Sequence, residues 1–257
     1  MKKSRMLLLA ICSVVFIYSA YNLISYYYDA YINAKTYNKV KDLYIPAEVV
    51  IEDAQGETEE DIEARLQALR EENFRKLREV NKDIVAWIYV PGTNVDYPVV
   101  HGEDNSYYLN HDIEGKTSRA GAIFLDYRIT VNEDSTIDDI NTVIYGHHMK
   151  NGSMFASLKR YKDSSFLEEN PYIYLDTVNG RRKYQIFSVF VTKTDFQYTK
   201  INFSSDNEYL QYLQEINNKS MNSTNIELKS TDKIITLSTC TYEFDGSRLA
   251  VIGRLVE

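Results

Sequence analysis

From residue 84 onward, short runs of β-branched and aromatic residues alternate with turn residues. Runs of this kind are typical of β-strands. Strands are predicted at 84–90, 97–100, 122–128, 141–147, 172–178, 182–193, 233–240 and 248–256. Many short strands joined by turns favour a closed barrel or a sandwich, so the fold is predicted to be mainly β with added helices.

Helical spacing of apolar residues predicts helices at 58–80, 153–162 and 205–219. Thr58 stands before an acidic first turn, as an N-cap residue does. Ser205 and Glu208 have the spacing of a capping box, in which two side chains satisfy free backbone amides at a helix start.

Residues 6–28 carry no charge and follow Lys2, Lys3 and Arg5. About 20 apolar residues are enough to cross a bilayer as a helix. Basic residues on the short flank favour a cytoplasmic N-terminus, with the rest of the chain outside. The alternatives are a core helix and a signal peptide cleaved after Ala20, although Tyr18 stands where cleavage needs a small residue.

The predicted organisation is therefore a cytoplasmic stub and membrane anchor at 1–28, a spacer at 29–57 and the main folded domain at 58–257. The net charge is −8, and nucleic-acid binding needs clustered Lys and Arg to neutralise phosphates. Nucleic acid is therefore not expected as a partner.

Only 2 cysteines are present, and Cys12 lies inside the predicted anchor. Cys240 is then the only cysteine of the exported part, with no partner in the same chain for a disulfide. Either it is a reactive thiol or it is a small buried hydrophobic residue. It ends an apolar strand, and Arg248 opens the next one. A guanidinium there would favour the thiolate and could bind an oxyanion, although an exposed arginine at a strand start is also common.

A nucleophilic cysteine usually needs a histidine as its base. His147 ends the predicted strand 141–147, and a strand end at a barrel rim can face a cleft. Its separation from Cys240 leaves their proximity undecided by the sequence pattern alone. Metal-ligand patterns and phosphate-binding glycine loops are absent from the sequence, so no metal and no cofactor is expected.

The segments TLSTC (236–240) and YGHHM (145–149), followed by Arg248, resemble the signature of the sortases. The segments at 92–112 and 121–128 are most similar to those of class B sortases. The resemblance extends over roughly residues 58 to 257.

The resemblance implies an eight-stranded β-barrel with the active site at one rim. It also implies a cysteine transpeptidase that attaches surface proteins bearing a C-terminal sorting motif to an amine of the peptidoglycan precursor. Carried over to this sequence, Cys240 attacks the threonine carbonyl of the motif, Arg248 stabilises the oxyanion, and His147 transfers protons. The expected product of the first step is a thioester.

The same resemblance suggests six substrate-binding residues, for which barrel packing or plain surface is the alternative. They are Asn105, Leu109, Tyr145, Thr194, Tyr198 and Ser238. The rival functions are a cysteine hydrolase of surface peptides, an L,D-transpeptidase and a non-catalytic surface module. An L,D-transpeptidase would have S-H-G-C around its nucleophile, whereas Cys240 follows Ser-Thr.

Overall fold

The computed structural model describes residues 2–47, 49, 51, 56–132, 136–193, 195–241, 243 and 246–256. The strands are β1 (Ile84–Tyr89), β2 (Asp96–His101), β3 (Ile123–Leu125), β4 (Asn141–Tyr145), β5 (Tyr172–Thr177), β6 (Gly180–Thr192), β7 (Ile234–Cys240) and β8 (Arg248–Leu255). The helices are α1 (Lys2–Lys41), α2 (Glu59–Val80), α3 (Ser164–Glu169) and α4 (Asp206–Asn218). Short 3₁₀ helices are at Tyr107–Leu109 and Phe155–Lys162.

The strands close into a barrel in the order β1-β2-β3-β4-β7-β8-β6-β5. Pairing is antiparallel except between β2 and β3 and between β4 and β7, which are parallel. The predicted mainly β fold with an eight-stranded barrel is therefore confirmed. The parallel pair β4–β7 matters most for the site, because it places the carboxyl ends of both strands at the same rim.

Strand β8 shows why this barrel has a second layer. Leu249 and Val251 point into the barrel core, while Ala250 and Ile252 belong to a second cluster with residues of α4. Successive side chains of a strand face opposite sides, so a strand covered on both faces is apolar throughout. Helix α4 therefore covers the outer face of β6, β7 and β8.

The helix starts follow the predicted caps, with one difference. Thr58 Oγ1 accepts the amide of Asp61 at 3.2 Å, and Ser205 Oγ accepts the amide of Glu208 at 3.2 Å. The Glu208 carboxylate, however, accepts the amide of Ser204 at 2.7 Å instead of closing back on Ser205. Helix α3 was not predicted from the sequence.

Two predicted strands extend two or more residues beyond their observed ends. The strand predicted at 122–128 stops at Leu125, because the Asp126 carboxylate accepts the amide of Arg128 at 3.0 Å and turns the chain. The strand predicted at 141–147 stops at Tyr145. Beyond it the carbonyl of His147 accepts the amide of Phe155 at 3.0 Å instead of a strand partner.

Helix α1 is, among the described residues, the helix long and apolar enough to cross a membrane. It continues through the first part of the predicted spacer, where Tyr37 and Val40 are buried in the main core. The Tyr37 ring meets that of Tyr97 edge to face at 5.2 Å between centroids, and Tyr44 stacks on Trp87 at 4.2 Å. The division into anchor, spacer and catalytic domain stays a prediction.

Candidate active site

Cys240 and Arg248 face each other across the β7–β8 hairpin. The antiparallel register pairs Cys240, the last residue of β7, with Arg248, the first residue of β8. The connecting loop is closed below them, since Thr241 N donates to Ser247 O at 3.1 Å and Ser247 Oγ donates to Thr241 O at 2.9 Å. Directly opposed residues of an antiparallel pair project their side chains to the same face of the sheet.

His147 reaches the same rim through the parallel pair β4–β7. Tyr145 is in register with Ser238, and Gly146 N donates to Ser238 O at 3.2 Å. His147 and Cys240 each lie two residues beyond this matched pair, although they are 93 positions apart in the sequence. The fold therefore supplies the proximity that the sequence pattern left open.

His147, Cys240 and Arg248 all line a cleft of about 230 Å³ at this rim. Seven residues predicted for the site line it: Asn105, Leu109, Tyr145, His147, Ser238, Cys240 and Arg248. Tyr198 is buried next to it, and Thr194 lies outside the described residues. Phe124, Gly146 and Thr239 complete the lining and were not predicted.

The segment that contains Asn105 and Leu109 forms one wall of the cleft. Asn105 Oδ1 accepts the amide of Tyr127 at 3.0 Å, which holds this wall against the chain that follows β3. His147 Nε2 lies 2.7 Å from the carbonyl oxygen of Leu109. Because a carbonyl oxygen can only accept, this contact assigns the proton to Nε2 and leaves Nδ1 as the acceptor of a neutral ring.

Ser238 and Tyr198 form a buried hydroxyl pair with 2.8 Å between their oxygens. Burial raises the pKa of Tyr198, while its hydrogen bond to Ser238 and the nearby positive charge of Arg248 act in the opposite direction. Tyr198 therefore stays a neutral phenol near Arg248. Tyr198 contributes to the site indirectly, through its hydrogen bond to Ser238, which lines the cleft.

Tyr145 is held by a buried carboxylate. Its hydroxyl donates to Asp126 Oδ2 at 2.8 Å, and Arg128 donates to the same carboxylate from Nε at 2.8 Å and from Nη2 at 2.7 Å. Burial alone would raise the pKa of Asp126, but the hydrogen bonds from Arg128 and Tyr145 outweigh it and lower the pKa. Arg128 Nη2 also donates to Thr199 O at 3.1 Å, which links this group to the connection after β6.

His148 was not predicted to take part in the site, yet it contacts the backbone of Cys240. Its Nδ1 donates to the Cys240 carbonyl oxygen over 2.9 Å. Burial lowers the pKa of His148, the hydrogen bond to Cys240 opposes this, and Lys159 and Lys162 add to the lowering. The sequence signal that could have identified His148 was its position directly after His147.

Thr239 was also missed, although it stands beside Cys240 in the sequence. Its side chain is only 2% exposed, and within the described part of the chain its Oγ1 has no hydrogen-bond partner. A buried hydroxyl without a partner costs free energy unless something satisfies it.

As for metals, the described residues contain no cluster of three or more His, Cys, Asp or Glu side chains that could hold an ion.

Comparisons with known proteins agree with this architecture. A family model described as the sortase domain matches residues 88–256. Sortase B of Listeria monocytogenes is 40% identical over 187 residues, which is 72% of this chain and 74% of that protein. Sortase B of Staphylococcus aureus is 37% identical over 186 residues, which is 72% of this chain and 75% of that protein.

Solved structures extend the similarity over more of the chain. A mutant form of Clostridium perfringens sortase B superposes with a TM-score of 0.76 at 31% identity, covering 88% of this chain and 99% of that one. A Staphylococcus aureus sortase B–substrate complex gives 0.73 at 31% identity, covering 89% and 98%. The chain therefore belongs to the sortase family and is a transpeptidase of the sortase B type.

Proposed function

We propose that Cys240 is the nucleophile of this transpeptidase, His147 its acid and base, and Arg248 the cation that binds the oxyanion. The observation that carries the proposal is the in-register pair of Cys240 and Arg248 at a rim where His147 lines the same cleft. A thiol, a proton carrier and a fixed positive charge are the groups that acyl transfer through a thioester needs.

In the first step, the proton of the Cys240 thiol passes to His147, and the sulfur attacks the threonine carbonyl carbon of a C-terminal sorting motif. The oxyanion that forms takes hydrogen bonds from the Arg248 guanidinium, which has five N–H donors. One of them, on Nη1, contacts Ser247 O at 3.2 Å in this structure. The peptide C–N bond then breaks, His147 gives a proton to the leaving amine, and a thioester remains on Cys240.

In the second step, an amine of the cell-wall precursor attacks the thioester carbonyl. His147 takes the proton that the amine loses, the new amide bond forms as the C–S bond of the thioester breaks, and His147 returns the proton to the Cys240 sulfur. The same thioester could be hydrolysed by water, so transfer and hydrolysis differ only in which nucleophile enters the cleft. An assay that offers an amine acceptor separates these outcomes.

The substrate is proposed to lie along the wall formed by Asn105 and Leu109 and against Tyr145 and Ser238. All four line the cleft that contains Cys240. Tyr198 supports this surface through its hydrogen bond to Ser238. A contribution from Thr194 stays a prediction.

Helix α1 is proposed to anchor the enzyme as a single membrane span, with the N-terminus in the cytoplasm and the barrel outside. Its support is the uncharged run 6–28 after Lys2, Lys3 and Arg5, together with the exposure of the most apolar part of this helix in the structure. The proposed partners are then surface proteins bearing the sorting motif and the amine of the peptidoglycan precursor.

The test uses the full chain in detergent and quenched fluorescent peptides that span N-P-x-T-N and S/N-P-x-T-G motifs. Wild type is compared with Cys240→Ala, Arg248→Ala and Cys12→Ala, the last being a matched control at the other cysteine. Cleavage after threonine should be lost in the first variant, fall by about a hundredfold or more in the second, and stay unchanged in the third. Wild-type activity in Cys240→Ala would refute the mechanism.

A further inference from the structure

A groove of about 810 Å³ separates helix α1 from the chain that follows His147. Its barrel side is formed by residues 148–151, and its helix side includes Tyr18, Asn22 and Tyr26. Lys150 and Asn151 are exposed there. The mechanism proposed above gives this groove no role.

The helix side of the groove belongs to the end of the uncharged run. A hydrocarbon core about 30 Å thick takes about 20 helical residues at 1.5 Å each. If the core begins at Met6, directly after Arg5, it ends near Ser25. The groove residues 18–27 therefore extend from the outer part of the hydrocarbon core to its boundary near Ser25, where tyrosines such as Tyr26 are enriched.

The barrel is fixed to this helix and does not hang from a flexible linker. Residues 2–41 contain no Pro or Gly that would kink the helix, and α1 runs unbroken to Lys41. Arg119 Nε lies 3.1 Å from an Asp29 carboxylate oxygen, and its Nη2 donates to Ser25 Oγ at 3.2 Å. The depth of Ser25 in the bilayer thereby sets the depth of the adjoining barrel rim.

We propose that residues 148–151 form a membrane-contact surface that binds phospholipid headgroups of the outer leaflet, an inference that rests on the proposed anchoring by α1. Lys150 supplies an exposed ammonium group for lipid phosphates, and Lys159 adds positive charge close to His148. His148 also bonds to the Cys240 carbonyl, so the contact lies directly beside the catalytic rim. The cleft is thereby held next to the headgroup layer.

The experiment measures tryptophan depth in the full chain reconstituted into phospholipid vesicles. Trp87 is the single native tryptophan and only 1% exposed, so it gives a constant buried background. The reporter is Lys150→Trp. Its matched control is Lys229→Trp, another exposed lysine, which precedes β7 at the end of the barrel away from Cys240.

Quenching by lipids brominated along their acyl chains should be about twofold or more stronger for Lys150→Trp than for Lys229→Trp, and its emission should be blue-shifted. Acrylamide in the water should show the reverse order. Circular dichroism checks that both variants are folded. Equal lipid quenching and equal acrylamide quenching in vesicle-bound protein would refute the contact.

Vesicle flotation before the quenching measurement separates the inference from its premise. A chain that does not float with vesicles would refute the proposed anchor and, with it, the headgroup contact. A chain that floats but shows equal quenching at both positions would refute the contact alone. Neither outcome depends on peptide cleavage, so the proposed chemistry of Cys240 is tested independently.

Discussion

The hydroxyl of Tyr145 donates a hydrogen bond of 2.8 Å to Asp126, a carboxylate with no solvent exposure. The same carboxylate takes two side-chain hydrogen bonds from Arg128, which in turn donates to the carbonyl of Thr199. A cleft-lining ring and the connection after β6 are therefore held by one buried negative charge. Asp126 acts on the cleft through Tyr145 and is a positioning residue.

Replacing Asp126 by Asn should lower the free energy of unfolding by about 2–3 kcal/mol, because hydrogen bonds to charged groups contribute about 1.5–3 kcal/mol each and Arg128 can recover part of the loss from water. Chemical denaturation at pH 7 measures the change. The matched control is Asp138→Asn, which breaks an ion pair with Lys233 whose aspartate side chain is 63% exposed. Exposed pairs contribute about 0–1 kcal/mol, so similar losses in the two variants would contradict the assignment.

The Asp126→Asn variant should also respond less to acid. The pKa of Asp126 is lowered in the folded protein, so its contribution to stability is present above the unfolded value near 4 and is lost as the pH falls through the folded value. Denaturation curves between about pH 5 and pH 2 should therefore fall more steeply for wild type than for the variant. Parallel curves would show that this carboxylate does not drive the acid response.

The hydroxyl pair of Tyr198 and Ser238 predicts energetic coupling. Tyr198→Phe and Ser238→Ala should each cost about 1 kcal/mol of unfolding free energy, because each removes one partner of a buried hydrogen bond. The double variant should cost clearly less than the sum, since removing both groups leaves neither unsatisfied. Strictly additive losses in the double-mutant cycle would mean that the contact contributes nothing.

The barrel could be predicted because its signals are local. Strand β7 is a run of apolar and β-branched residues ending at Cys240, and the cap residues Thr58 and Ser205 mark helix starts. The strand predicted at 122–128 was too long for an equally physical reason. Asp126 lies in an apolar run, and only the structure shows that its carboxylate bonds to the next turn and not to solvent.

The meeting of His147 and Cys240 could not be predicted from pattern, because it depends on the parallel pairing of β4 with β7 across a long stretch of sequence. No local spacing encodes that pairing, and the family resemblance supplied it. His148 was missed because alternation on a continuing strand would turn it away from the neighbouring cleft residue. The strand ends at Tyr145, which frees His148 to reach the Cys240 carbonyl.

Removing the Thr239 hydroxyl should lower activity without lowering stability. Thr239 is one of the residues that line the cleft, and its buried Oγ1 has no partner among the described atoms, so we expect a bound peptide to satisfy it. Thr239→Val keeps the shape and removes the unsatisfied hydroxyl, so thermal stability should stay equal or rise. The kcat/KM for peptide cleavage should fall about tenfold, the effect of losing roughly 1.4 kcal/mol of transition-state binding.

Thr239→Ser keeps the hydroxyl and is the matched rescue variant. It should retain most of the kcat/KM while losing some stability, because the missing methyl group leaves a small cavity in a residue that is 2% exposed. Equal activity of the valine and serine variants would show that the hydroxyl does not contact the substrate.

The lowered pKa of His148 predicts a loss of stability on acidification, at pH values above those at which carboxylates titrate. Its pKa is lowered in the folded protein, so the neutral ring is favoured and protonation opposes folding. The contribution of the neutral ring is present above the unfolded value near 6.5 and is lost as the pH falls through the lower folded value. His148→Asn removes the titrating group but places an amide N–H where Nδ1 donates to Cys240. Unfolding free energies at pH 7 and pH 5 should therefore differ less in His148→Asn than in wild type, with stability at pH 7 retained.

His148→Ala should also be insensitive to this pH change but less stable at pH 7 by about 1 kcal/mol, because the Cys240 carbonyl loses its donor. A wild-type pH response in His148→Asn would assign the titration to another group.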